Sequence, residues 1–176
     1  MRCVVWIFGS LAVLLASLPS TAEAYENEAT LGLSVGYAGL PTSDTLPRHG
    51  VDVGLNAGGG LGDAWSIQGL LGYNVFPNQR ALHLGVVGIE TVYALDIVRF
   101  VPLIGAGLDG LLTVRERQTR GDFALHGLLG VDYLINARWL VGAEVRGYWV
   151  ATNAQSPLDP FILTAAARVA VRFELR

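Results

Sequence analysis

The chain has 176 residues, of which 52% are apolar and 15% charged, with a formal net charge of -3. That composition is too apolar for a disordered chain, sparse in charge for a soluble domain of this size, and too acidic to recommend a nucleic-acid surface. The length suits one core and excludes two ordinary domains.

The N-terminal segment reads as an export signal. Arg2 supplies a positive start, residues 4–18 are almost continuously apolar, and Ala22-Glu23-Ala24 has the small-x-small form of a cleavage site. The expected division is a signal peptide over 1–24 and a β-barrel domain over 25–176. The apolar run falls short of the ~20 residues that a spanning helix needs. Cys3, the single cysteine, precedes the run, so neither a lipid anchor at the cleavage point nor a disulfide is expected.

From there the pattern has a period of two. Eight blocks alternate apolar with small or polar residues, at roughly 29–39, 50–60, 65–75, 82–94, 100–112, 122–134, 139–150 and 161–175. In the first, Leu31, Leu33, Val35 and Tyr37 alternate with Gly32, Ser34, Gly36 and Ala38. In the last, Leu163 through Leu175 by twos is apolar, whereas Arg168, Arg172 and Glu174 lie on the other face. Val86 next to Val87 breaks the rhythm of the fourth block and suggests a bulge.

The connections alternate too. Those after blocks two, four and six are tight. Those after blocks one, three, five and seven are longer and more polar: "LPTSDTLPRHG", "FPNQRA", "TVRERQTRG" and "ATNAQSPLDP". An antiparallel up-and-down meander follows, with short turns at one end. Aromatic residues gather at two levels. Trp65, Tyr93, Phe100, Tyr133, Trp139 and Phe173 fall near the short turns, and Tyr37, Tyr73, Phe76, Phe123, Tyr148, Trp149 and Phe161 near the long connections. Two such belts are what two membrane–water interfaces select.

A sheet in hydrocarbon cannot leave its edge groups unpaired, so it closes. Eight strands give an interior only wide enough for side chains. The alternation places Asp52, Asn56, Gln68, Glu90, Asp109, His126, Asp132, Glu144, Arg146, Arg168 and Arg172 inside. The expectation is an all-β, eight-stranded transmembrane β-barrel with a plugged polar lumen, in which Glu90, Asp109, Asp132 and Glu144 share Arg146, Arg168 and Arg172. Inward glycines would make room for those side chains.

The signal segment, eight blocks, two belts and terminal amphipathic strand resemble the small eight-stranded outer-membrane barrels of the OmpA transmembrane-domain and OmpX type. The likeness of pattern spans the chain from residue 25 onward. It implies residence in the cell outer membrane, contact with outer-membrane lipid and lipopolysaccharide, insertion by the barrel-assembly machinery, and a monomer. Arg168, Ala170, Phe173 and Leu175 take the places of that family's terminal assembly signal, with Ala170 standing where a glycine is usual and Arg176 following the last apolar residue. No further domain is expected after the barrel.

A conducting channel, a lipocalin-like soluble barrel and a lipid-modifying enzyme share parts of the pattern. His126-Gly127-Leu128 has the histidine of a His-x-Ser pair without its serine, and His49, His83 and His126 lack metal-ligand spacing. Gly58-Gly59-Gly60 lacks the lysine and helix of a phosphate loop. No catalytic residue, metal or cofactor is expected. Arg115, Glu116, Arg117 and Arg120 make the third connection basic, a candidate contact for lipopolysaccharide phosphate. The function expected is that of a non-enzymatic integral barrel serving envelope integrity or surface interaction.

Overall fold

In the computed structural model eight strands follow one another: β1 (Glu28–Gly39), β2 (His49–Gly60), β3 (Trp65–Phe76), β4 (Leu82–Ala94), β5 (Phe100–Arg115), β6 (Gln118–Leu134), β7 (Trp139–Val150) and β8 (Phe161–Glu174). The structure describes residues 28–42, 48–62, 64–77, 81–95, 99–115, 118–151 and 160–174. The expected signal segment and its cleavage site, Glu116, Arg117, Leu175 and parts of the long connections lie outside them. Each strand pairs antiparallel with the next, and β1 pairs with β8 from Glu28↔Glu174 to Gly39↔Leu163, which closes the sheet.

The period-two pattern is what makes closure favourable. Leu31, Leu33, Val35 and Tyr37 point outward and are exposed, whereas Gly32, Ser34 and Ala38 face the lumen and are buried. Every strand repeats this division, so the outer wall is an apolar band. At the short turns, Leu61 N–H donates to Trp65 O at 2.7 Å and Ile135 N–H to Trp139 O at 3.0 Å. Asn136 Oδ1 accepts from the N–H groups of Arg138 and Trp139 at 2.9 and 3.0 Å, the side-chain turn that asparagine favours.

Cross-strand ring pairs mark the short-turn rim: Trp65 meets Tyr93 at 4.9 Å and Phe100 meets Tyr133 at 5.1 Å. At the other rim Tyr37, Tyr73, Phe123, Trp149 and Phe161 face outward. Phe76 and Tyr148 do not. They point inward, 0% and 5% exposed, and belong to a lumen cap rather than to the belt. Belt membership read along the sequence counts height only, and a ring one residue out of phase turns to the other face.

Two further expectations are corrected. Val86 and Val87 form no bulge: β4 keeps unbroken register with β3 and β5, with Val86 inward against Gly72 and Val87 outward. An apolar residue is acceptable inside because that end of the lumen is itself apolar. The third connection is also not a long loop. β5 runs to Arg115 and β6 starts at Gln118, and the two residues pair. Above the apolar band both faces of a hairpin meet water, so the sequence loses its alternation while the strands continue.

Gly36 sits on the closing seam, where an added Cβ would run into Ala165 O and Ala166 Cα of β8. Those are backbone atoms, which yield little. Gly36→Ala is therefore expected to destabilise the barrel by about 1–3 kcal/mol, read as a lower urea midpoint for refolded protein in vesicles. Gly54→Ala, whose new methyl meets chiefly the movable Ser34 hydroxyl, should cost less. Equal midpoints for the two would contradict this seam register.

Candidate functional site: the lumen

The inward half of the alternation builds three zones along the barrel. At the long-connection end an apolar cap is made by Leu40, Phe76, Leu82, Leu84, Leu111 and Tyr148 with their neighbours. At the short-turn end Val92, Ala94, Val101, Leu103 and Leu128 form a second apolar cluster on the β4–β6 side. The alternation predicts a polar lumen throughout. Charge gathers in the middle and on one side of the short-turn mouth, and a separate pair, Arg120 with the buried Asp122, lies toward the long-connection end.

The middle zone is a continuous chain of charged contacts. Arg146 on β7 reaches across to Glu90 on β4, with Nη2 3.0 Å from Oε1 and Nε 3.4 Å from Oε2, a two-pronged contact of guanidinium on carboxylate. Its Nη1 also donates to Glu144 on its own strand. His126 on β6 stands between two acids: its Nε2 lies 2.9 Å from Glu90 Oε2 and its Nδ1 2.6 Å from Asp109 Oδ2. Arg168 on β8 extends the chain, 3.5 Å from Glu144 Oε2 and 3.5 Å from Asp132 Oδ1. All seven side chains are buried. An isolated charge there would carry a large desolvation cost, and alternating signs in contact offset it.

Three of the seven expected network residues have other partners than foreseen, or an added one. Asp109 contacts His126 instead of an arginine. Arg172 stands apart from the chain, near the short-turn rim, with its Nε 3.1 Å from Glu28 Oε2. Glu90 shares itself between Arg146 and His126. His126 was placed inward by the alternation, but its role as the link was missed. The signal lies in the register: Glu90 pairs with Gly107 and Gly107 with His126, so a side-chain-free glycine lets the flanking pair touch. The short-turn mouth holds a cavity of about 40 Å³ bordered by Ser66, Gln68, Asp132, Arg168 and Arg172, enough space for a water.

Of the expected assembly residues, Arg168 and Ala170 face the lumen, with Ala170 opposite Gly32, and Phe173 faces outward at the short-turn rim. Arg115 and Arg120 lie at the ends of strands, and Arg120 Nε is 3.2 Å from Asp122 Oδ1. On the exterior, the Tyr37 and Tyr73 hydroxyls lie 2.6 and 2.7 Å from Nδ1 of His49 and His83. Ser66 accepts a hydrogen bond from Gln68 Nε2 at 3.2 Å. Among the described residues no group of three or more metal-binding side chains converges.

A family model described as "Outer membrane protein beta-barrel domain" matches residues 8–173. No curated protein matches the sequence. Among solved structures, Neisserial surface protein A is similar at a TM-score of 0.65 and 16% identity, over 84% of this chain and 98% of that one. The N-terminal β-barrel domain of Pseudomonas aeruginosa OprF follows at 0.62 and 15%, over 85% and 99%. Ail, the attachment invasion locus protein of Yersinia pestis, matches at 0.55 and 14%, over 84% and 99%. At such identities the likeness is one of fold.

Proposed function

The chain belongs to the outer-membrane β-barrel family and resides in the outer membrane, and from that premise we propose that it is a non-enzymatic structural barrel with a closed lumen. The observation that supports this reading is the contact chain from Asp109 through His126, Glu90, Arg146, Glu144 and Arg168 to Asp132, which ties β4 to β7 across the interior. The lipid-facing band anchors the cylinder, the ionic middle stiffens it, and the outward connections offer the surface for contacts in the envelope. His126 has both ring nitrogens engaged by carboxylates, which leaves neither for activating a hydroxyl nucleophile.

Export through a cleaved signal, insertion by the assembly machinery through the β8 pattern of Arg168, Ala170, Phe173 and Leu175, a monomeric state, and contact of the Arg115 and Arg120 rim with lipopolysaccharide complete the proposal. Planar-bilayer recording of the refolded chain tests its centre. The expected result is no conductance comparable to a general porin. Sustained porin-sized steps would overturn the closed-lumen reading, and loss of lipid A acyl chains on expression would overturn the non-enzymatic one.

A further inference from the structure

Among the described residues, the charges of the lumen do not balance on carboxylates and guanidiniums alone. Arg120 answers Asp122 at one end and Arg172 answers Glu28 at the other. Between them Asp52, Glu90, Asp109, Asp132 and Glu144 are buried, and the buried guanidiniums are those of Arg146 and Arg168. Acids thus outnumber bases in a space where an uncompensated charge is costly.

His126 stands inside this excess, with its Nε2 2.9 Å from Glu90 Oε2 and its Nδ1 2.6 Å from Asp109 Oδ2. A carboxylate oxygen only accepts hydrogen bonds, and a neutral imidazole has a single N–H to give. The two contacts therefore need one proton more than a neutral ring and two carboxylates possess. Turning the ring over does not remove the need, because it sets carbon atoms against both acids. Glu90 is not the carrier of that proton: Arg146 approaches it with Nη2 3.0 Å from Oε1 and Nε 3.4 Å from Oε2, the fork that fits an ionised carboxylate. Asp109 has no guanidinium. Its polar partner among the described residues is His126, and its Oδ1 is buried without a hydrogen bond, so the ring is the counter-charge within its reach. Gly107 lies between Glu90 and His126 in the register, and a Cβ there would stand 2.5 Å from His126 Cε1 and 2.9 Å from Glu90 Cβ, so the contact depends on that glycine.

We propose that the barrel binds a proton as a structural ligand: His126 is an imidazolium held between Glu90 and Asp109, and that proton fastens β4, β5 and β6 to one another inside the lumen. The site belongs to the ionic lumen of the structural barrel proposed above, rests on that reading, and gives its middle a third cation. The groups that face the imidazole are Glu90 on β4, Asp109 on β5 and, on β7, Arg146, which shares Glu90 Oε2 with the ring, and Tyr148, whose ring centroid lies 5.4 Å away. β6 itself brings Asp122 and Asp132, and Asp52 on β2 interacts at longer range with Arg146 and Glu144. Acids prevail in this set, which favours a cation at its centre.

Nitrogen NMR of the full chain, refolded in nanodiscs with isotope-labelled histidine, reads the ring directly, and His126→Gln identifies its signals by their loss. At about pH 8, where an ordinary imidazole is neutral, both ring nitrogens of His126 should carry a proton. Asp109→Asn removes the counter-charge at nearly constant size and should leave one ring nitrogen bare at the same pH. A bare nitrogen in the wild type, or two protonated nitrogens in Asp109→Asn, would overturn the proposal. The wild-type spectrum decides by itself if the variant does not fold, which heat-modifiable migration reports. Urea gives a second readout. A proton held by the folded barrel and not by the unfolded chain is withdrawn as pH rises, and the stability it supplies goes with it. From about pH 7 to about pH 10 the wild-type midpoint in vesicles should therefore fall relative to that of His126→Gln, which has no such proton to lose. Midpoints that run parallel would equally sink the idea. Porin-sized conductance would defeat the closed-lumen reading and leave the proton count of the ring standing, so the two fail separately.

Discussion

Replacing Arg146 by alanine should lower the unfolding free energy of the barrel in vesicles by about 3–5 kcal/mol, the usual cost of removing one partner from a buried ion pair. Arg146 touches Glu90 on β4 and Glu144 on β7, so its loss strands two carboxylates in a lumen with little water to receive them. Arg146→Met combined with Glu90→Gln and Glu144→Gln removes the stranded charges as well, and should recover most of the loss. Urea titrations of the two variants separate the effects. If Arg146→Ala unfolds at the wild-type midpoint, the charged chain contributes nothing to closing the barrel, and the structural role proposed for it is wrong.

Leu108→Arg is expected to cost about 2–4 kcal/mol, the range for a cation placed at the midplane of a lipid-facing strand. Leu108 is 60% exposed at the middle of β5, flanked across the sheet by Ile89 and Leu125. In a water-facing sheet the same substitution would be nearly neutral. Leu61, similarly exposed but at a short turn, supplies the comparison: Leu61→Arg should cost only about 0–1 kcal/mol near the interface. A difference that vanishes between the two sites in vesicles would mean that hydrocarbon does not surround the band.

The strands and their facing were legible because a half-lipid, half-lumen wall imposes alternation on the strand residues within the apolar band, from Leu31 on β1 to Phe173 on β8. Where only one of those solvents acts, the pattern fades. The ends of β5 and β6 above the band read as a loop, although Arg115 and Gln118 pair. Phe76 and Tyr148 were assigned by height and are inside by phase. Partnership across the lumen was the least legible level. Alternation tells that Asp109 and His126 both face inward, but their contact depends on how far β4, β5 and β6 are staggered, which no local stretch of sequence states. Glu28 is illegible for a plainer reason: it lies one residue before the first alternating block, so the pattern does not mark it as the partner of Arg172.

The seam between β1 and β8 has a kinetic meaning. Ala29 and Phe173 are neighbours in space and almost the whole cylinder apart along the polypeptide, whereas every other strand pairing joins consecutive segments. That one zipper carries the greatest loop-closure entropy and is rewarded only after the other seven hairpin ladders are aligned. Its formation is therefore the natural late event of folding, and until it occurs two unsatisfied ribbons remain open to water or to a helper. A defect at Gly36 or Ala166 would thus be felt first as slow maturation, before it is felt as a weakened final state.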